Sequence, residues 1–345
     1  MKAAVIHGSR DVRIEDVEIP DLKPGELRIK IGAALTCGTD LKVFKRGYHA
    51  KMIQPPAVFG HELAGRISGI GDGVQGWSSG ERVIVANSAP CGECFFCQHE
   101  QEALCDDLLF LNGAYAEYIN VPARIVEKNT IQLKDETNFA DAALTEPLAC
   151  VVQGVSDCRL WPGDRVLVIG AGPIGLMFTA LAHNLGCHVT VAGRGEERLD
   201  AAKRLGAYHI VNMTGKDDVV AGVRERYADG NSFDVVIEAT GKPEVWEAAV
   251  ALVRKGGLVN FFGGCPSDTS VSLDTGRLHY SSITLKASFH HTPDSIRKAL
   301  EFIEKGVIRA SEFVNGEAPL SELPALLNSM VEGNRAVKTL IDVTR

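Results

Sequence analysis

The strongest constraint on the fold lies in the middle of the chain. There Val166-Leu167-Val168-Ile169 runs directly into Gly170-Ala171-Gly172-Pro173-Ile174-Gly175. A lone G-x-G-x-x-G is a weak signal. Here an apolar strand-like run precedes it and a helical apolar pattern follows to about residue 185, which gives it the right context. The first glycine permits a tight turn, the second lets a backbone approach a pyrophosphate, and the third allows close helix–strand packing. The helix that follows offers free N–H groups and the positive end of its dipole to phosphate. The alternation continues, with strand patterns at 188–192, 209–211, 233–239, 258–262 and 283–287 and a helical pattern at 196–205. Repeated strand–helix units predict an α/β fold with a doubly wound parallel sheet of the Rossmann kind. In it Gly170, Gly172, Pro173, Ile174 and Gly175 would face a dinucleotide.

The end of the second strand usually selects the cofactor, because NAD sites place an acid there for the ribose 2′-hydroxyl. This chain has Val191-Ala192-Gly193-Arg194 at that point, and its acids Glu196 and Glu197 come later. Without a carboxylate, a 2′-phosphate meets no repulsion, and Arg194 can pair with it. The sequence therefore favours NADP and leaves NAD possible, with Gly193 and Arg194 at the site and Arg198 as a helper. As plain surface residues, both arginines would simply be solvated.

The first ~150 residues read differently. Short strand patterns at 2–6, 26–31, 65–70 and 82–85 are separated by Gly- and Pro-bearing loops, which suggests a mostly-β unit with inserted lobes. Helical patterns close the chain at 294–305 and 320–332. With 345 residues, two domains are expected. The formal net charge of −8 disfavours nucleic acid as a partner. No stretch approaches the ~20 apolar residues needed to span a bilayer. The N-terminal segment lacks a secretory pattern, so a cytoplasmic location is expected.

Nine cysteines are present, an odd number that suits a reducing compartment. Cys91, Cys94 and Cys97 are spaced by two residues each, and Cys105 follows. Four thiolates so placed can enclose one tetrahedral zinc and leave no open position, which makes such a site structural. A pair of disulfides or a redox C-x-x-C is the alternative. Cys150, Cys158, Cys187 and Cys265 read as core or near-core thiols.

Taken together, the motifs resemble the zinc-dependent medium-chain dehydrogenase/reductase superfamily, in its sorbitol/polyol and threonine dehydrogenase-like branch. The residues that carry the likeness are Cys37-Gly38-Thr39-Asp40, Gly60-His61-Glu62, Gly65, Gly71, Gly80-Glu81-Arg82-Val83, the cysteine lobe, Glu146-Pro147-Leu148 and the glycine turn, in that order. The resemblance covers essentially the whole chain. It implies a GroES-like, mostly-β catalytic domain at 1–152 and 288–345, with a structural zinc lobe at about 88–110. The Rossmann domain would be inserted at 153–287, with the active site in the cleft between domains. It further implies a homodimer or homotetramer, two zinc ions per chain, and a catalytic zinc held by Cys37, His61 and a glutamate, either Glu62 or Glu146. Without the resemblance, His61 would read as a core histidine, Cys37 as a small buried residue, and Glu146 as a loop acid before a proline.

The chemistry suits these side chains. One sulfur, one imidazole and one carboxylate leave a zinc position open, where the metal charge acidifies an alcohol or polarises a carbonyl. The family passes the proton through a hydroxyl two residues after the cysteine, here Thr39, which could equally cap the next helix. Many relatives carry histidine five residues after the cysteine. Lys42 stands there instead, followed by Lys45 and Arg46, either as a relay with a positive mouth or as a solvated basic turn. Phe262, Gly263 and Gly264 match a loop lining the cofactor cleft. Phe289, His290 and His291 match a segment near nicotinamide and substrate.

The expected activity is hydride transfer between a polyol or other secondary alcohol, or the matching ketone, and NAD(P). A threonine-type amino-alcohol dehydrogenase is the neighbouring alternative. A zinc-free enone or quinone reductase would lack the cysteine lobe and the Cys-His pair. A non-catalytic NADPH-binding protein would have no need for Cys37, Thr39, His61, Glu62 and Glu146.

Overall fold

A computed structural model of the chain describes residues 1–49, 51–227, 233–333 and 336–345. The chain divides into two compact units, Met1–Ala149 with His291–Arg345, and Cys150–His290.

In the first unit, strand Leu27–Leu35 buries Leu27, Ile29 and Ile31 while turning Lys30 and Gly32 outward, a period of two that marks a strand with one face in the core. It pairs antiparallel with Glu62–Ile70, Tyr118–Val121 and Lys338–Asp342. Arg82–Val85, Thr130–Gln132 and Val314–Pro319 complete this seven-stranded sheet. A three-stranded sheet of Asp11–Asp16, Lys2–Gly8 and Ala57–Val58 lies in the same unit. Leu27, Ile29, Phe44, Phe59, Val83, Val85 and Tyr115 belong to one continuous core. Burying a side chain of this size contributes roughly 1.5–3 kcal/mol.

The second unit is built on six parallel strands in the order His209–Asn212, His188–Gly193, Arg165–Ile169, Phe233–Glu238, Val253–Phe261 and Thr284–Ala287. This is the 3-2-1-4-5-6 order of a doubly wound sheet, as the sequence predicts. Val166, Leu167, Val168 and Ile169 are all buried, which requires cover on both faces of the sheet.

Several boundaries differ from the sequence expectation for local reasons. Glu146 lies in helix Thr145–Cys158 rather than in a loop. Pro147 is tolerated there because the first-turn N–H groups have no intrahelical partner to lose. The helix expected over 320–332 begins as a 3-10 turn, Leu320–Glu322, and is α-helical only over Leu323–Val331. Pro324 permits a helix to begin there and not to run through it. Among the described residues, no helix is long and apolar enough to cross a membrane.

Candidate active site and metal centres

Helix Gly38–Arg46 is capped by Cys37, whose sulfur accepts the Thr39 N–H while Asp40 accepts the Cys37 N–H. The cap therefore belongs to Cys37, and the alternative reading of Thr39 as the cap is corrected: Thr39 lies inside the first turn. The same turn places Asp40 against His61, Oδ1 to Nδ1 at 2.9 Å, with both side chains buried. Tyr115 donates from its hydroxyl to Asp40 Oδ2 at 2.6 Å. Asp40 thus fixes the ring orientation of His61 and leaves Nε2 to face a ligand. Burial alone would lower the His61 pKa, but the charges of Asp40 and Cys37 raise it well above the usual value.

Ligand atoms of Cys37, His61 and Glu62 lie within 4.8 Å of one another. Glu62 opens strand Glu62–Ile70, which holds it beside His61. Both of its carboxylate oxygens contact the buried Lys338 Nζ, at 2.6 and 2.5 Å. Lys338 also donates to the Thr36 carbonyl at 3.1 Å. Burial works against a charged lysine there, yet Glu62 and Cys37 raise its pKa above the ordinary value. Glu146 is buried in the same unit, and loss of solvent pushes its carboxyl up to about 7, with His61 opposing. This donor set of sulfur, imidazole and carboxylate suits a zinc ion with a free position.

The four-cysteine lobe has a second arrangement. Cys94 Sγ lies 3.5 Å from that of Cys97 and 3.9 Å from that of Cys105, and Cys91 lies 3.9 Å from Cys97. A zinc–sulfur distance of about 2.3 Å gives a tetrahedron with edges of about 3.8 Å, so these four sulfurs fit one ion. None of the nine cysteines is in a disulfide. Backbone N–H groups of Asp106 and Cys97 lower the Cys94 thiol to about 6, while burial pushes Cys97 up to about 12.

In the second unit, Gly170 adopts φ +118°, and a Cβ on Gly175 would stand 1.8 Å from the Gly170 carbonyl oxygen. Only glycine permits this approach of helix to turn. A Cβ on Gly172 would meet nothing within 4 Å, so that position faces open space as a phosphate-binding turn requires. Pro173 starts helix Pro173–Asn184, with Ile174 and Gly175 in its first turn. Gly193 ends the second strand beside Ala171, whose Cβ would lie 2.5 Å from an added one. Arg194 is exposed and donates to the Lys216 carbonyl at 2.6 Å and to Asp217 at 3.0 Å. Arg198 lies half-buried on helix Glu196–Arg204. Phe262 and Gly263 follow the fifth strand with Gly264 exposed, and Phe262 packs edge-on against Phe178.

The structure separates residues that sequence reading grouped. Phe289 is exposed and His290 half-buried at φ +63°, both in the second unit. His291 belongs to the first unit, where it is buried with Nε2 2.9 Å from Asn87 Oδ1 and 4.0 Å from Glu146 Oε1. Lys42, Lys45 and Arg46 are all exposed, and Thr39 is half-buried. Asp40 lies in the Cys37-Gly38-Thr39-Asp40 motif, where the sequence alone gives it no role. Tyr115 and Lys338 carried no local signal, since they reach the cluster from distant strands.

Two protein-family models match the chain. The family described as "Alcohol dehydrogenase GroES-like domain" matches residues 23–132, and the family "Zinc-binding dehydrogenase" matches residues 173–305. Sorbitol dehydrogenase of Bacillus subtilis (strain 168) is 30% identical over 99% of this chain and 97% of its own. L-threonine 3-dehydrogenase of Pyrococcus furiosus is 36% identical over 75% of this chain and 74% of its own. A zinc-binding dehydrogenase from Sinorhizobium meliloti 1021, solved bound to NADP, superposes with a TM-score of 0.88 at 27% identity, covering 99% of this chain and 98% of that one. The chain belongs to the zinc-dependent medium-chain dehydrogenase/reductase superfamily. It is a zinc alcohol dehydrogenase that works with a nicotinamide cofactor.

Proposed function

We propose that this enzyme oxidises a secondary alcohol of the polyol class, or reduces the matching ketone, with NADP preferred over NAD. The observation that carries this reading is the cluster of half-buried Cys37 with buried His61 and Glu62, backed by Asp40 and Lys338. Sorbitol dehydrogenase, at 30% identity over nearly the full chain, supports the polyol class.

When bound, zinc supplies Lewis acidity to the reacting oxygen and the nicotinamide ring accepts the hydride. Cys37 and His61 are the proposed fixed ligands, with Glu146 as the third. Glu62, whose two oxygens both meet Lys338, would be the alternative carboxylate ligand, held beside the metal as a charge-paired group. Asp40 holds the Nδ1 proton of His61 and so presents Nε2. Thr39 is the proposed inner group on the proton's way out, and the exposed Lys42 its end at solvent. Cys91, Cys94, Cys97 and Cys105 would hold a second, structural zinc, giving two per chain.

For the dinucleotide, Gly170, Gly172, Pro173, Ile174 and Gly175 would receive the pyrophosphate. Gly193, Arg194 and Arg198 would receive the adenosine end. Phe262, Gly263, Gly264, Phe289 and His290 are proposed near the nicotinamide. Arg194 is held by Asp217 at the surface, so a 2′-phosphate would compete for a group already poised there. A cytoplasmic homodimer or homotetramer is the proposed setting.

The test is nicotinamide reduction, followed by absorbance, across polyols, cyclitols, threonine-type amino alcohols and simple secondary alcohols, with NAD and NADP run separately. Zinc-dependent turnover of a polyol is the expected result. Turnover of amino alcohols alone would replace the polyol class with the threonine type. Silence with zinc and dinucleotide both bound would overturn the catalytic reading.

A further inference from the structure

The strand order of the second unit reverses between Arg165–Ile169 and Phe233–Glu238. A doubly wound sheet binds its ligand in the crevice at that point, beyond the carboxyl ends of the two strands. One wall is the glycine turn at 170–175. The other is the turn at 239–241, whose Ala239 N–H donates to the Ile169 carbonyl at 2.9 Å and whose next two residues are held by one carboxylate.

Glu238 is the last residue of its strand and is fully buried. Its Oε1 accepts the Thr240 N–H at 2.6 Å, the Gly241 N–H at 3.1 Å and the Thr240 hydroxyl. Its Oε2 lies 3.2 Å from the Gly241 nitrogen. Its main-chain carbonyl accepts from Phe262 and Gly263, at 3.0 and 2.9 Å. Close packing surrounds it: a Cβ on Gly263 would stand 2.2 Å from Gly241 N, and one on Gly170 3.1 Å from the Ala239 carbonyl oxygen. The turns after the first, fourth and fifth strands therefore lean on one another, and Glu238 ties the middle one down.

We propose that Glu238 is a positioning residue for the dinucleotide: its carboxylate fixes the 239–241 turn, and through it the 262–264 turn, at the spacing from the glycine turn that the cofactor needs. This rests on the dinucleotide reading above. Among the described residues, Oε1 of Glu238 receives three donors from this turn, and Oε2 shares the Gly241 N–H.

The test uses the zinc-loaded full chain with Glu238→Gln and Glu238→Met, and NADP and NADPH as ligands. Glutamine keeps one acceptor oxygen and sets an amide N–H against Gly241. Methionine removes both acceptors. The NADPH dissociation constant is expected to rise about fivefold in Glu238→Gln and about thirtyfold in Glu238→Met, the range spanned by partial and full loss of a buried acceptor. Zinc content and, for Glu238→Gln, the urea midpoint are expected to stay at the parent values. A merely structural role would move affinity and urea midpoint in parallel, and that result overturns the proposal. A folded Glu238→Gln protein that binds NADPH as tightly as the parent also overturns it, and decides the matter if the methionine variant does not fold. Parent protein that binds neither dinucleotide would remove the dinucleotide reading itself, and this inference with it.

Discussion

Lys338 places its ammonium nitrogen 2.6 and 2.5 Å from the two carboxylate oxygens of Glu62, with both side chains shut away from solvent. Breaking one side of such a pair leaves an uncompensated buried charge, which costs about 3–5 kcal/mol. Lys338→Met should therefore lower the urea-unfolding free energy by an amount in that range. The double variant Lys338→Met with Glu62→Leu should recover most of it, because then no charge is stranded. Equal losses in the single and double variants would contradict this account.

Asp40 should act on the metal without touching it. Asp40→Asn keeps the shape but weakens the hold on His61 Nδ1. Partners of this kind typically contribute 10–100-fold to metal affinity, so zinc competition against a chromogenic chelator should show a loss of about that size. The zinc of the four-cysteine lobe should be retained in the same protein.

Conversely, Cys94→Ser should release the lobe's ion and leave the other in place, read as a fall in zinc per chain by elemental analysis. The lobe buries little of its own: Phe95 and Leu104 are exposed, so metal contributes much of its order. Proteolysis should then cut near residues 91–105 first.

Stability of the chelator-stripped protein should fall as pH rises from about 4.5 towards 7. Glu146, pushed up to about 7 by burial, binds a proton in the folded chain that the unfolded chain has already lost. The folded state therefore gains on acidification through this window and loses on the way up. The span corresponds to about 3 kcal/mol. His61, raised well above its ordinary value, acts in the same direction: its contribution is full below an unfolded pKa of about 6.5 and is lost as pH climbs through the folded one. Glu146→Gln should flatten the lower part of this slope in melting curves taken from pH 5 to 8 and leave the upper part.

Arg194→Ala should raise the KM for NADP by about tenfold while leaving that for NAD within about twofold, as removal of one charge-assisted pair to a phosphate requires. Equal changes with both cofactors would mean that Arg194 does not read the 2′-phosphate.

Local features were legible in the sequence, because their signals lie within a few residues. The glycine turn sits between its strand and helix, and the four cysteines declare their own spacing. The cluster around Cys37 was reachable only through family resemblance, since His61 and Glu146 come from other elements and look ordinary in isolation. Nothing in the sequence assigns a role to Lys338, Tyr115 or Asp40. Tyr115 meets Asp40 across 75 positions and Lys338 meets Glu62 across 276, so no window of sequence contains either pair. The apolar neighbours of Glu238 mark it only as part of a strand, although its contacts lie in the turn beyond. The two histidines at 290 and 291 looked like a pair, yet a main-chain bend at His290 sends them into different units.

The separation of Glu62 and Lys338 also sets a timetable. Translation at about 5–20 residues per second leaves about 14–55 s between the two residues. Throughout that interval the nascent chain carries Cys37, His61 and Glu62 without their counter-charge, and its central sheet lacks the strand Lys338–Asp342. The unit at Cys150–His290 is continuous in sequence and can close on itself meanwhile. The half of the enzyme made first is thus the half finished last.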